Sequence, residues 1–353
     1  MDFALNEAQQ MLQASARRFL ADNHPLTRAR QALPWSDAAQ QRLWADMADM
    51  GFLALLMPED QGGLALGLTE ASLLAEEAGH QLLNLPWAAS AVWLALACPA
   101  TPASVPAPLR DAMQAMLAGR RALHVVDAGD GWRDHAGQCS DIVVIRESPA
   151  PGEPLQLALI DGAAVTAAPA LDPTLRQAPA LAPTGPWHAW ALDAASRAQA
   201  RTGYRLMRAA ELVGVAQAAL DLAAGYARER VQFGRPIGSN QAIKHQLANA
   251  WMGVDNARLA VLYATAALSE NLPDARFACA AAEASAIEGA LQATRSALQV
   301  HGGMGFTWES DVHLYLKRAQ HLATRLGGAS RALQQLEALA WDAAANAPSA
   351  TPV

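Results

Sequence analysis

From Ser196 to about Ala344 the chain is alanine-rich and reads as four long helices with short connections. An antiparallel bundle is the simplest way for such a stretch to bury its apolar faces. The first helix runs to about Val231 and breaks at Phe233-Gly234. The second covers about Asn240 to Leu268, and the third Pro273 to about His301. The last spans about Ser310 to Ala344, with Gly327-Gly328 as a candidate break. Abundant alanine points to close helix contacts. Whatever chemistry the bundle carries must sit at its corners, because its faces are needed for packing.

Upstream, the chain changes character twice. Residues 3–22 place Leu5, Ala8, Leu12, Ala16, Phe19 and Leu20 near a 3.6-residue period, an amphipathic helix with Asn6 as its candidate cap. Further helices are expected at about Ser36–Met50, Leu68–Ala78 and Pro86–Ala97. A proline-rich connector at 99–108 then leads into a short helix ending at Gly119. From about residue 120, LHVVDAGD, DIVVIRE and LQLALIDG are short β-prone runs between Gly, Pro and Asp. Proline recurs through 163–195, which predicts loop or edge strand. The expected domains are therefore 1–119 helical, 120–195 a thin β domain of no more than five strands, and 196–345 the bundle, with 346–353 a disordered tail. The fold class is mainly α with a small central β domain.

Composition narrows function by exclusion. A net charge of -7 would repel nucleic acid and anionic membranes. Three cysteines without metal or C-x-x-C spacing, no apolar signal core in MDFALNEAQQ and no spanning stretch of 18 apolar residues fit a cytoplasmic protein.

Two corners of the bundle carry unusual chemistry. In YARERVQFGRPIGSNQAI, Tyr226 to Ile243, a helix ends in arginines, an amide, an aromatic ring and a glycine. Two readings stand. Arg228 and Arg230 favour a helix C-terminus electrostatically, and Phe233 could be a buried turn residue. Alternatively Arg230 forks onto a phosphate, Gln232 adds an amide and Phe233 a flat face for a heteroaromatic ring. In QVHGGMGFTWE, Gln299 to Glu309, Gly302-Gly303 either stops a helix or lets a ligand approach the backbone. HGGMG follows a helix rather than a strand, so no dinucleotide fingerprint of the βαβ kind is present, and no P-loop occurs.

These segments, extended to YARERVQFGRPIGSNQAIKHQLA and QVHGGMGFTWESDVHLYLKRA, resemble the two signature regions of the acyl-CoA dehydrogenase family. MDFALNEAQQ, LWADMADMGFLALLMPEDQGG and LLAEEAGHQLLNLPW resemble that family's first helices. The resemblance implies an N-terminal helical domain, a middle β domain and a C-terminal four-helix bundle, assembled in tetramers. It also implies that Arg230, Gln232, Phe233, Gln299, Gly302 and Gly303 hold the ADP part of an FAD whose flavin lies in a neighbouring subunit. The implied reaction takes an α-proton from an acyl-CoA with a glutamate and passes a hydride to the flavin. Electrons then leave through an electron-transferring flavoprotein.

The resemblance fails where the proton is handled. Many members carry the glutamate in a Glu-Gly-Thr-like turn beyond the glycine pair, and counting on from Gly303 puts Leu326 there. Others carry it on the helix before the R-x-Q-F-G turn, where this chain has Tyr204. A leucine has no lone pair, and a phenol titrates near ~10. Glu211 and Glu309 are the remaining nearby carboxylates. The Thr/Ser-bearing strands that cover the flavin, and their Gly-x-Lys turn, are also missing from a shortened middle segment. His301, His313, Lys317 and Arg318 match bacterial members built from two unlike chains, and His301 reads equally as a polar helix cap. Arg205 and Arg208 are candidates for a CoA phosphate, with solvated helix surface the plainer reading.

The expectation is the shorter, catalytically incomplete subunit of such a heterotetramer, partnered by a homologous subunit and acting in fatty acid or steroid side-chain degradation. A self-sufficient homotetramer with a non-standard base and a non-enzymatic scaffold of the same fold are the alternatives.

Overall fold

The computed structural model describes residues 4–98, 105–148, 153–180 and 182–345. The expected tail at 346–353 and most of the proline-rich connector lie outside them. The described residues divide into two compact units, Leu5–Met207 and the chain from Arg208 onward.

In the first unit, α1 (Glu7–Asn23) starts at Asn6. The Asn6 side chain accepts from the Gln9 backbone at 2.9 Å, and Gln9 Oε1 accepts in return from the Asn6 backbone at 3.0 Å. This reciprocal cap satisfies two donors that a helix start leaves open. A short α2 (Leu26–Ala29) follows. Next comes α3 (Ala38–Asp49), capped by Asp37 onto Ala39 N at 2.8 Å, and then α4 (Leu68–His80), which is buried along most of its length. The helix expected from Pro86 is not uniform. Ala88–Trp93 is a wider π-helical stretch, and only Leu94–Ala97 (α5) is α-helical. Inside the wide turns the Ser90 hydroxyl donates to Leu123 O and accepts from Leu123 N, which ties the stretch to the first strand. The helix α6 (Ala107–Leu117) precedes the sheet.

Six strands follow among the described residues, one more than the sequence reading allows. They are β1 (Leu123–Asp127), β2 (Trp132–Asp134), β3 (Asp141–Arg146), β4 (Leu155–Asp161), β5 (Gln177–Pro179) and β6 (His188–Trp190). β1, β3, β4 and β6 form one sheet in that order. β1 runs parallel to β3 and the other pairs are antiparallel, while β2 and β5 make a separate ribbon. The ribbon escapes notice in the sequence because WRD and QAP are too short to alternate.

The long α7 (Ala194–Glu229) leads into a small hairpin, β7 (Val231–Gln232) and β8 (Arg235–Pro236), and then α8 (Gln241–Ser269) and α9 (Ala275–His301). The last expected helix is two, α10 (Val312–Arg325) and α11 (Gly328–Ala345). They are separated where Gly327 and Gly328 take φ of 97° and 79°. In the second unit α9 is the central helix, packed by α8, α10 and α11. Glycine makes its contact with α8 possible. A Cβ on Gly289 would stand 2.9 Å from the Gly253 carbonyl oxygen, so the two backbones touch.

A second bundle contact is ionic. Glu211 on α7 accepts from Arg208 Nη1 at 2.7 Å and from Arg318 Nη1 of α10 at 3.0 Å, and the Arg318 side chain is fully buried.

Candidate functional site

The hairpin corner begins where α7 ends. Arg230 N donates to Tyr226 O, and Ile237 N donates to Arg230 O, both at 2.8 Å, so the hairpin is anchored to the last helical turn. Val231 pairs with Pro236 and Gln232 with Arg235, leaving Phe233-Gly234 as a two-residue turn. Such turns need positive φ at both central positions, and here they are 51° and 79°. Glycine accepts this freely. For Phe233 the left-handed region costs about 1–2 kcal/mol.

None of the described residues compensates by packing on that ring, which is completely exposed. This corrects the buried-turn reading of Phe233: a two-residue hairpin projects its tip beyond the helix ends. Gln232 is exposed as well, its Nε2 donating to Val231 O at 2.8 Å. The two arginines separate. Arg228 Nε caps the Ala224 carbonyl at 3.1 Å, the structural role. The exposed Arg230 guanidinium has no hydrogen-bond or ion-pair partner among the described residues.

The second corner is the end of α9. Gly302 adopts φ 58° and ψ -138°, backbone that is in practice restricted to glycine. A Cβ added to Gly302 or Gly303 would meet nothing within 4 Å, and Gln299 one turn earlier is exposed. The backbone here is thus bare, with room beside it. Beyond it Phe306 and Trp308 are also exposed, two rings that the sequence reading did not single out. The FTW run was the available signal. Lys317 Nζ lies 4.6 Å from the Trp308 ring centre, and His313 meets that ring edge-on at 5.0 Å.

The two corners meet. Tyr226 stacks on His301 with ring centres 4.5 Å apart and an interplanar angle of 19°. His301 Nδ1 in turn donates to Ala297 O at 2.8 Å. Arg230, Gln232 and Phe233 thus follow the end of one helix and Gln299, Gly302 and Gly303 lie at the end of another, the two ends meeting through the Tyr226–His301 stack. A guanidinium unpaired among the described residues, two amides, a bare glycine backbone and an exposed ring are the kinds of group that could hold a pyrophosphate joined to a heteroaromatic base.

The candidate bases fare differently. Leu326 is buried, at the end of α10 just before Gly327-Gly328. Tyr204 is half-buried on α7. Glu211 has one oxygen on each of two guanidiniums, so it is engaged inside the bundle in a structural ion cluster. The same contact corrects the solvated-surface reading of Arg208, which is buried against Glu211. Glu309 is exposed beside the second corner.

Comparisons with known proteins identify the family. Residues 6–100 match the acyl-CoA dehydrogenase N-terminal domain and residues 198–331 the acyl-CoA dehydrogenase C-terminal domain. Acyl-CoA dehydrogenase IpdE2 of Mycobacterium tuberculosis is 31% identical over 346 residues, covering 95% of this chain and 98% of the relative. The IpdE2 of Mycolicibacterium smegmatis is 30% identical over 335 residues, covering 95% and 99%. Among solved structures, a variant of the Tcur3481-Tcur3483 steroid ACAD superposes with a TM-score of 0.81 at 26% identity over 96% of this chain and 99% of that one. The ChsE4-ChsE5 complex from Mycobacterium tuberculosis gives 0.81 at 25% identity over 99% and 100%. With near full-length relatives, both domain models matched and the signature corners in place, the chain belongs to the acyl-CoA dehydrogenase family.

Proposed function

We propose that this chain is the catalytically incomplete subunit of a heterotetrameric, FAD-dependent acyl-CoA dehydrogenase. It holds the ADP end of FAD through Arg230, Gln232, Phe233, Gln299, Gly302 and Gly303, while a homologous partner subunit carries the catalytic glutamate. The bound flavin supplies the hydride acceptor for α,β-dehydrogenation of an acyl-CoA thioester, and an electron-transferring flavoprotein takes the electrons onward.

One observation carries the reading. The family's base position is a buried leucine, Leu326, whereas the nucleotide corner is exposed, with Arg230 unpartnered among the described residues. Removing an α-proton beside a thioester requires a base within hydrogen-bond reach of it. Leu326 cannot serve, and Glu211 is held by arginines. The grip has no comparable loss.

Two of the similar structures bear two-component names, the ChsE4-ChsE5 complex and Tcur3481-Tcur3483, which supports an unlike partner. The second is described as a steroid ACAD, which supports a bulky, steroid-derived acyl group as substrate.

The test is to purify the chain alone and together with the homologous subunit from the same genome. Flavin content and acyl-CoA dehydrogenation are then measured for both samples. The expected result is a full flavin load and turnover only in the pair. Normal turnover by the lone chain would reject the reading and leave Glu309 to be tested as its base by substitution with Gln.

A further inference from the structure

The nucleotide corner is assembled from two helix ends, and the hydrogen bonds of α7 or α9 alone cannot set the distance between them. A pair of rings spans the gap. Tyr226 lies one turn before Arg230, and His301 immediately precedes Gly302. Their rings lie nearly parallel, 4.5 Å between centres and 19° between planes. Each ring is coupled to its own corner. Tyr226 O accepts the Arg230 N–H, and Arg230 O accepts the Ile237 N–H, each at 2.8 Å, so a shift of the Tyr226 backbone passes directly into the hairpin. The His301 ring is fixed to α9 by its 2.8 Å bond to Ala297 O, and the Gly302 N–H returns to Gln299 O, the backbone of another residue of the grip.

We infer that Tyr226 and His301 are positioning residues for the nucleotide, their stacked rings setting the separation between the Arg230 guanidinium and the bare backbone at Gly302-Gly303. This rests on the reading of that corner as the grip for an ADP group. The role belongs to the faces of the rings. The tyrosine hydroxyl is dispensable, whereas loss of either ring releases the hairpin from the end of α9. Ring stacking of this kind adds to the attraction beyond area burial, and two residues acting through one contact are non-additive when both are removed.

The experiment titrates ADP calorimetrically into the full-length chain and compares Tyr226→Ala, Tyr226→Phe, His301→Ala, the double alanine variant and Arg230→Ala. Urea midpoints check that each variant is folded, and hydrogen exchange follows the Ile237 amide. Either single alanine variant should weaken ADP binding about tenfold. The double variant should be no weaker than about the worse single one. Tyr226→Phe should stay within about twofold of the parent, and Ile237 should exchange faster only where a ring is missing.

If the alanine variants bind ADP and protect Ile237 like the parent while Arg230→Ala still weakens binding, the positioning role is wrong and the grip stands. If the parent neither binds ADP alone nor retains flavin when assembled with its homologous subunit, or if Arg230→Ala does both equally well, the grip itself is wrong and the positioning role falls with it.

Discussion

Arg230 and Arg318 belong to the same helical unit and have opposite fates. Arg318 is wholly buried on α10, its guanidinium held by Glu211 across the bundle. Arg230 stands exposed at a hairpin base, with its backbone anchored and its side chain unpartnered among the described residues. The first is committed to the fold and the second is available to a ligand. The same contrast sets Glu211 apart from a catalytic base, because a carboxylate clasped by two arginines serves the fold however promising its place in the sequence. Burial and partnership, rather than residue type, decide which charges remain for chemistry.

Several substitutions test that contrast. The largest effect should come from Glu211→Ala, which removes the carboxylate shared by two buried guanidiniums and should cost about 3–5 kcal/mol, read as a lower urea midpoint. An unchanged midpoint would mean that the ion cluster is not what holds Arg318. Arg230→Ala should leave the midpoint within about 0.5 kcal/mol of the parent. It should still lose about 1.5–3 kcal/mol of nucleotide binding, measured by ADP titration and by flavin retention in the assembled enzyme. A stability loss without a binding loss would reverse the assignment of the two arginines. Gly302→Ala forces a side chain into backbone that only glycine tolerates, at about 1–3 kcal/mol by chemical denaturation. The smallest stability change should come from Phe233→Gly. Relief of a strained φ and the added freedom of the unfolded chain nearly cancel, within about 1 kcal/mol, while nucleotide affinity falls with the lost ring. A marked loss of stability would show that the exposed ring serves the fold after all.

What could be read from the sequence follows from how local each cause is. The first helix is legible because Asn6 and Gln9 cap it within four residues. The ends of α8 and α9 are legible from Asn240, Pro273 and the glycine pair. The π-helical stretch at Ala88–Trp93 is not, since its Ser90 tie runs to a distant strand. The ribbon of β2 and β5 defeats periodicity by brevity.

At the candidate site the motif residues stand out by type and order. Their convergence through Tyr226 and His301, and the capture of Glu211 by Arg318, depend on contacts between residues far apart in the chain. Exposure of Phe233 needed the turn geometry as well as the aromatic letter. The resemblance to a family identified the residues and their order, and long-range packing determined which of them are free to act.

The bare crossing of Gly253 and Gly289 has a mechanical consequence. At the crossing there is no room for even one added carbon without the helices moving apart, so the spacing of α8 and α9 at that point is set by their backbones. The far end of α9, where Gln299 and Gly302 lie, is measured from that mark. A bulkier residue at the crossing should therefore be felt at the opposite tip as a displaced handhold, well away from the substitution that caused it.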